Sequence, residues 1–264
     1  MKEEKISQEI EKSEEVEKSV IDKYTKEIDI PSQGYLGGPK KVTIRAMTTV
    51  EEKILYSSKD NSFIKRICKS CTESPKVLDT NKLLPADLYY MIFQIRELTF
   101  GPTYKQPIRC PYCKLQQDAE INIADFEYKL LDDDIDSKLS IELPISKAKV
   151  QLKLISQDEV DEAERASIKL FQEGKISDLE GYTLVRKLSA MIDSVAGKVF
   201  ENENDKIAYV NEMHLMDLNA IRNTLNSVDF GLKTDVTVKC QNTSCNEDME
   251  VIGTICPEFF RPTI

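Results

Sequence analysis

Apolar positions along the chain follow two periods, and the same order of periods occurs twice. Lys41 to Arg45 alternates, with Val42 and Ile44 on one face, which predicts a strand. Thr48 stands three residues before Glu51, a capping box that satisfies orphan amides at a helix start and predicts a helix over 49–57. Leu88, Met91, Ile92 and Ile95 recur at helical spacing and form one apolar face, with Gly101 placed after Phe100 to end the helix. Asp118 to Ile123 then alternates, with Ala119, Ile121 and Ile123 on one face.

The second pass begins at Lys149 to Leu154, where Val150, Leu152 and Leu154 share a face. Ser156 and Glu159 repeat the capping box. Helical stretches follow around 177–197, then a polar turn at Glu201 to Asn204. Leu218, Ile221 and Leu225 form a second stripe, before Phe230-Gly231 and strands at Asp235–Lys239 and Met249–Ile252. Asp87, Leu88, Phe100, Gly101 and Cys110 recur as Asp217, Leu218, Phe230, Gly231 and Cys240, all at an offset of 130 residues. The two aspartates fall near helix starts, where negative charge suits the helix dipole, and read as structural.

These landmarks predict an α+β fold. It is internally duplicated into strand–helix–knuckle units that form a pseudo-twofold domain with one zinc-ribbon-like site. The expected divisions are a charged arm (1–29), a first repeat (30–127), a linker (128–147) and a second repeat (148–264). The arm holds sixteen charged residues within the first thirty. Its sparse apolar positions (Ile6, Ile10, Val16, Val20, Ile21) make a stripe too thin to fold alone, so it is expected to be disordered or to turn helical on a partner. The linker is acidic at Asp132-Asp133-Asp134, with few apolar anchors.

The chemistry lies in two cysteine pairs, Cys110-Pro111-Tyr112-Cys113, followed by a predicted strand, and Cys240-x4-Cys245, between two predicted strands. A hairpin tip aims both sulfurs of a pair the same way. Two such tips supply four thiolates, the donor set of tetrahedral Zn²⁺, softer than the oxygen sets that Mg²⁺ or Ca²⁺ require. Cys110, Cys113, Cys240 and Cys245 are therefore expected to hold one structural zinc per chain. Three other readings stand beside this one, and in one of them the first pair belongs with Cys68 and Cys71, another x2 spacing. Cys-Pro-Tyr-Cys also matches a thiol-oxidoreductase tetrapeptide, whose nucleophile needs a helix N-terminus, yet the residues after Cys113 alternate like a strand. Alternatively, the cysteines pack as small apolar groups. Cys68 and Cys71 lie three apart in a helix-like segment and read as core thiols, and Cys256 as a buried free thiol.

Composition narrows the function. The net charge of −10 opposes binding by phosphate neutralisation, so nucleic acid is not an expected partner. Arg109, Lys114 and Lys239 near the knuckles leave a zinc-ribbon nucleic-acid or transcription-associated factor as the alternative. No apolar run is long enough for a membrane span, and the N-terminal residues lack a signal-peptide core, so a cytosolic protein is expected. Seven cysteines in that compartment favour metal ligands or buried thiols over disulfides. With His214 as the single histidine, no Ser-His or Cys-His dyad is available, and no phosphate loop appears. No catalytic residue is expected.

The landmarks also resemble a family. Ile30-Pro31-Ser32-x-Gly34, the stretch from Val42 to Glu52, and Ile95-Arg96-Glu97-Leu98-Thr99-Phe100-Gly101-Pro102-Thr103-Tyr104 are similar to the T4-type bacteriophage baseplate hub assembly proteins. Cys110-Pro111-x-Cys113 and Glu258-Phe259-Phe260-Arg261-Pro262 follow in the family's order. The resemblance covers about residues 30–263, leaves the arm outside, and departs from the family at the looser Cys240-x4-Cys245 knuckle. It implies a structural or assembly protein of a contractile-tail baseplate hub that acts by protein–protein recognition. Its partners would be other baseplate or hub proteins, with oligomerisation allowed. It would reside in host cytoplasm during assembly and in the virion tail baseplate.

Overall fold

The structure is a computed structural model that describes residues 24–57 and 62–261; the expected arm lies outside them up to residue 23. Strands β1 (Thr25–Asp29), β2 (Lys41–Arg45) and β3 (Thr72–Ser74) form an antiparallel sheet in that order. β1 thus falls within the span expected to be arm (1–29), where buried Ile28 holds it on the core.

Helix α1 (Thr49–Ser57) starts where the capping box places it: the Thr48 amide donates to Glu51 Oε2 at 2.7 Å. Glu51 is fully buried and is also held by Arg45, with Nη2 and Oε1 3.0 Å apart. Helix α2 (Ser62–Ser70) carries Cys68, and Cys71 follows it; both thiols are buried, as core packing requires. Helix α3 (Pro85–Phe100) ends at Gly101, whose φ of +88° suits a residue without a Cβ. It is the central element, with Leu88, Met91, Ile92, Phe93 and Ile95 all in the first core.

A hairpin of β4 (Thr103–Arg109) and β5 (Gln116–Asn122) carries the first knuckle. Next come β6 (Glu127–Lys129), the short helix α4 (Ile135–Lys138) and β7 (Ser140–Glu142). The expected linker is therefore folded. Leu131, Ile135, Leu139 and Leu143 are buried in a second core, so its apolar residues are the anchors that its acidic composition hides.

β8 (Lys149–Leu152) precedes α5 (Gln157–Gln172), whose box is closed by the Ser156 amide on Glu159 Oε2 at 2.8 Å. Helix α6 (Leu179–Met191) stops six residues short of the predicted stretch. β9 (Ile192–Val195) and β10 (Lys198–Val199) replace its end, turning at Ala196-Gly197, both with positive φ. The expected polar turn instead starts a helix: Asn202 caps α7 (Glu203–Glu212), its Oδ1 accepting from the Asp205 amide. Strands β7 to β10 form the second sheet, in the order β10-β9-β8-β7.

Helix α8 (Leu215–Asn226) ends at Ser227, before Phe230. Gly231, unlike Gly101, does not end its helix but is the first residue of β11 (Gly231–Lys233), which pairs with β6. Its φ of +90° repeats that of Gly101, and a Cβ there would meet the Ala86 Cβ at 3.1 Å. A last hairpin, β12 (Asp235–Lys239) and β13 (Asp248–Ile252), carries the second knuckle. Met249 and Val251 of this hairpin lie in the first core, beside Ala119 and Ile121 of the other. Both hairpins therefore contribute to the core that holds α3, while β7–β9 and α6–α8 close the second core, which takes no residue from either knuckle hairpin. No helix among the described residues is long and apolar enough to cross a membrane.

Candidate metal centre

Each knuckle is closed by its own backbone. In the first, the Cys110 amide donates to Leu115 O at 2.9 Å and the Lys114 amide to Cys110 O at 3.0 Å. In the second, the Cys240 amide donates to Glu247 O at 2.9 Å. The residue after the second cysteine has positive φ in both, Lys114 at +64° and Asn246 at +49°. The two extra residues of the second knuckle are absorbed by Asn242, whose carbonyl accepts from the Cys245 and Asn246 amides and whose Oδ1 accepts from the Ser244 amide. The loose spacing thus closes like the tight one.

All four sulfurs come together. The Sγ atoms of Cys110, Cys113, Cys240 and Cys245 lie within 4.8 Å of one another, with Cys110–Cys245 at 3.9 Å and Cys113–Cys240 at 3.5 Å. A tetrahedral metal bonded to sulfur at about 2.3 Å requires sulfur–sulfur edges of about 3.8 Å. The cluster has the donors and spacing to hold a metal ion. Cys110 and Cys240 are buried, and Cys113 and Cys245 half-buried. The thiols are electrostatically unequal. Leu115's backbone hydrogen bond, aided by the neighbouring thiols, pulls the Cys113 thiol down to about 6. Burial pushes Cys240 up to about 12.

Two glutamines join the hairpins. Gln117 donates through Nε2 to Lys239 O at 3.1 Å and accepts at Oε1 from the Gln241 amide at 2.9 Å. Gln106 repeats this two-sided contact, donating to Ile252 O at 2.9 Å and accepting from the Thr254 amide at 2.8 Å. Sequence reasoning missed both. Their only signal was an amide on a face otherwise apolar: Gln106 between Tyr104 and Ile108, and Gln117 before Ala119.

The remaining residues take structural positions. Asp87 accepts from the Ser32 amide at 2.8 Å and the Leu84 amide at 2.7 Å; Asp217 accepts from the Ile145 amide at 2.7 Å and the Ser146 amide at 3.0 Å. Each ties a helix start to the loop that follows a proline. Arg96 is fully buried, donates to the carbonyls of Phe259, Gly101 and Thr103, and lies over the Tyr104 and Phe259 rings. One side chain thus gathers the Arg-to-Tyr stretch and the Phe-Phe segment of the resemblance. His214 caps α8, its Nδ1 accepting from the Met216 amide. Cys256 is half-buried, its thiol facing Lys105 O. Asp132 and Asp134 pair with Lys138 on the surface. After Cys113 the chain enters β5, so the Cys-Pro-Tyr-Cys segment lacks the helix N-terminus that activates an oxidoreductase thiol.

Fold and site together define a mixed α+β protein whose two hairpins meet at a candidate tetrathiolate metal centre. The chain belongs to the T4 bacteriophage base plate protein family, whose model matches residues 7–261, nearly the whole chain. Membership gives it a structural role in a phage baseplate. No curated protein and no solved structure matched the chain. The family match reaches residue 7, so most of the charged arm belongs to the family region rather than outside it.

Proposed function

We propose that this protein is a structural or assembly component of the hub of a contractile-tail baseplate, that it acts by protein–protein recognition, and that Cys110, Cys113, Cys240 and Cys245 hold one structural zinc. The convergence of four sulfurs from knuckles 130 residues apart, at tetrahedral spacing, carries the metal reading. When bound, zinc cross-links the two hairpins, and its binding free energy becomes folding free energy. The protein's own contribution is to pre-position both knuckles through Gln106 and Gln117, which leaves a rigid surface for partners.

The same reading includes an internal duplication into repeats at 30–127 and 148–264. Matched contacts support it. Arg45–Glu51 with Thr48 corresponds to Lys153–Glu159 with Ser156, and Asp87 with Ser32 corresponds to Asp217 with Ile145. Other baseplate proteins are the expected partners, met in host cytoplasm before the finished tail. Elemental analysis of the purified protein tests the metal: about one zinc per chain is expected, lost in a Cys110→Ser/Cys240→Ser double variant. Supplying that variant to a phage lacking the protein tests the hub role, with failure of tail assembly expected. Normal tails from a zinc-free variant would refute the link between metal and assembly, and salt-sensitive retention on DNA would favour the nucleic-acid alternative.

A further inference from the structure

A groove of roughly 690 Å³ opens where α2, the start of α3, α5 and β11 meet. Its walls are apolar: Ile64 from α2, Ala86 and Leu88 from α3, Ile168 from α5, and Phe230 and Leu232 around β11. Along α5 it extends from Gln157 to Ile168, about 16 Å of helix. Ile168 and Phe171 continue the apolar strip and are 44% and 45% exposed. The charged rim holds Lys65 and Arg165 beside Asp161 and Glu164. These dimensions suit one amphipathic helix with an aliphatic stripe and flanks of both signs.

The chain carries such a segment outside the described residues. Ile6 and Ile10 stand four apart, as do Val16 and Val20, with Lys and Glu interleaved between them. Residues from 7 onward fall within the family match. The reach also agrees. Tyr24 O accepts from the Ala46 amide, and the next residue, Met47, donates its amide to Thr99 Oγ1, so the segment joins the body near the C-terminal end of α3. The groove lies at the other end of α3, by Pro85 to Tyr89, about 18 Å along the helix. Ile10 precedes Tyr24 by fourteen residues, which a helix spans in about 21 Å.

We propose that residues 6–21 of the same chain dock as an amphipathic helix in this groove, with Ile6 and Ile10 against Ile64, Ile168 and Phe230. The arm then covers the junction of the two cores, and a partner that binds the arm must first displace it. This inference stands apart from the metal reading, since none of its residues touches the cysteine cluster.

The test places a photoreactive benzophenone amino acid at Ile168 in the full chain. Cross-links are expected within residues 1–23 at monomer mass, and Ile6→Glu/Ile10→Glu should reduce them at least tenfold with zinc content unchanged. Hydrogen exchange of the full chain supplies a second readout. Peptides covering 157–168 should exchange at least about tenfold faster in the Ile6→Glu/Ile10→Glu variant than in the wild type. Cross-links only at dimer mass, cross-links only to other proteins, no cross-link to 1–23, or unchanged exchange would each overturn the proposal.

Discussion

Replacing Arg96 by Met tests how the chain holds its C-terminal segment. The guanidinium is fully buried, and Nε donates to Phe259 O at 3.0 Å, with further bonds to the carbonyls of Gly101 and Thr103. Burial lowers its pKa, but an arginine starts so high that it stays charged. Methionine keeps much of the apolar stem between Tyr104 and Phe259 but offers no donor. A hydrogen bond to a charged group contributes about 1.5–3 kcal/mol, and a buried acceptor left alone costs about 1–3 kcal/mol. Losing the contacts to Phe259, Gly101 and Thr103 therefore costs about 4.5–9 kcal/mol before compensation. Relief of the arginine's own desolvation returns part of this, leaving about 3–5 kcal/mol. A domain with about 5–15 kcal/mol of stability would lose a large fraction of it. Urea unfolding followed by circular dichroism reads the shift in midpoint, and limited proteolysis reads release of Pro257–Arg261. Arg96→Lys should recover only part of the loss, because one ammonium cannot reproduce the fork that serves separate carbonyls. A Met variant within about 1 kcal/mol of wild type would show that those carbonyls find other partners, and would refute the argument.

Asp87→Asn and Asp217→Asn should each destabilise by roughly 2 kcal/mol in thermal or urea unfolding, because an amide turns one of two accepting oxygens into a donor facing a backbone N–H. A loss in one variant only would count against the proposed duplication. Glu51 gives a pH signature. Burial raises its pKa, but hydrogen bonds from Arg45, Ser70 and Thr48 outweigh that and hold it at about 2, below the unfolded value of about 4.3. Its contribution is complete above that unfolded value and is lost as pH falls towards 2, so the stability gap between wild type and Glu51→Gln should narrow over that window. A gap constant from pH 5 to 2 would show that the carboxylate is not the titrating group. Gln117→Ala removes the bridge from β5 to Lys239 and Gln241 and should weaken zinc affinity by about 10–100-fold in a chelator competition. Unchanged affinity would mean that the knuckles position themselves.

Features written in local sequence are those the sequence by itself determined. Both capping boxes, the strands at Lys41–Arg45 and Asp235–Lys239, the α3 stripe and the two cysteine pairs depend on residues a few positions apart, where period and side-chain reach decide the outcome. That the four cysteines would meet was legible for the same reason: a repeated pair at a hairpin tip declares its direction. Only the tertiary structure decided what depends on distant partners. Leu131 to Leu143 read as an acidic linker until a second core was there to bury four of its five apolar residues. Asp217 near a helix start gave no hint that it would bind the amides of Ile145 and Ser146, some seventy residues earlier. The meeting of the two hairpins, which brings four sulfurs within 4.8 Å, is held by side chains such as Gln106 and Gln117, and Arg96 ties α3 to Phe259, contacts that join residues far apart in the chain. Local pattern fixes which way a side chain points, but burying it requires a partner surface that only the folded chain supplies.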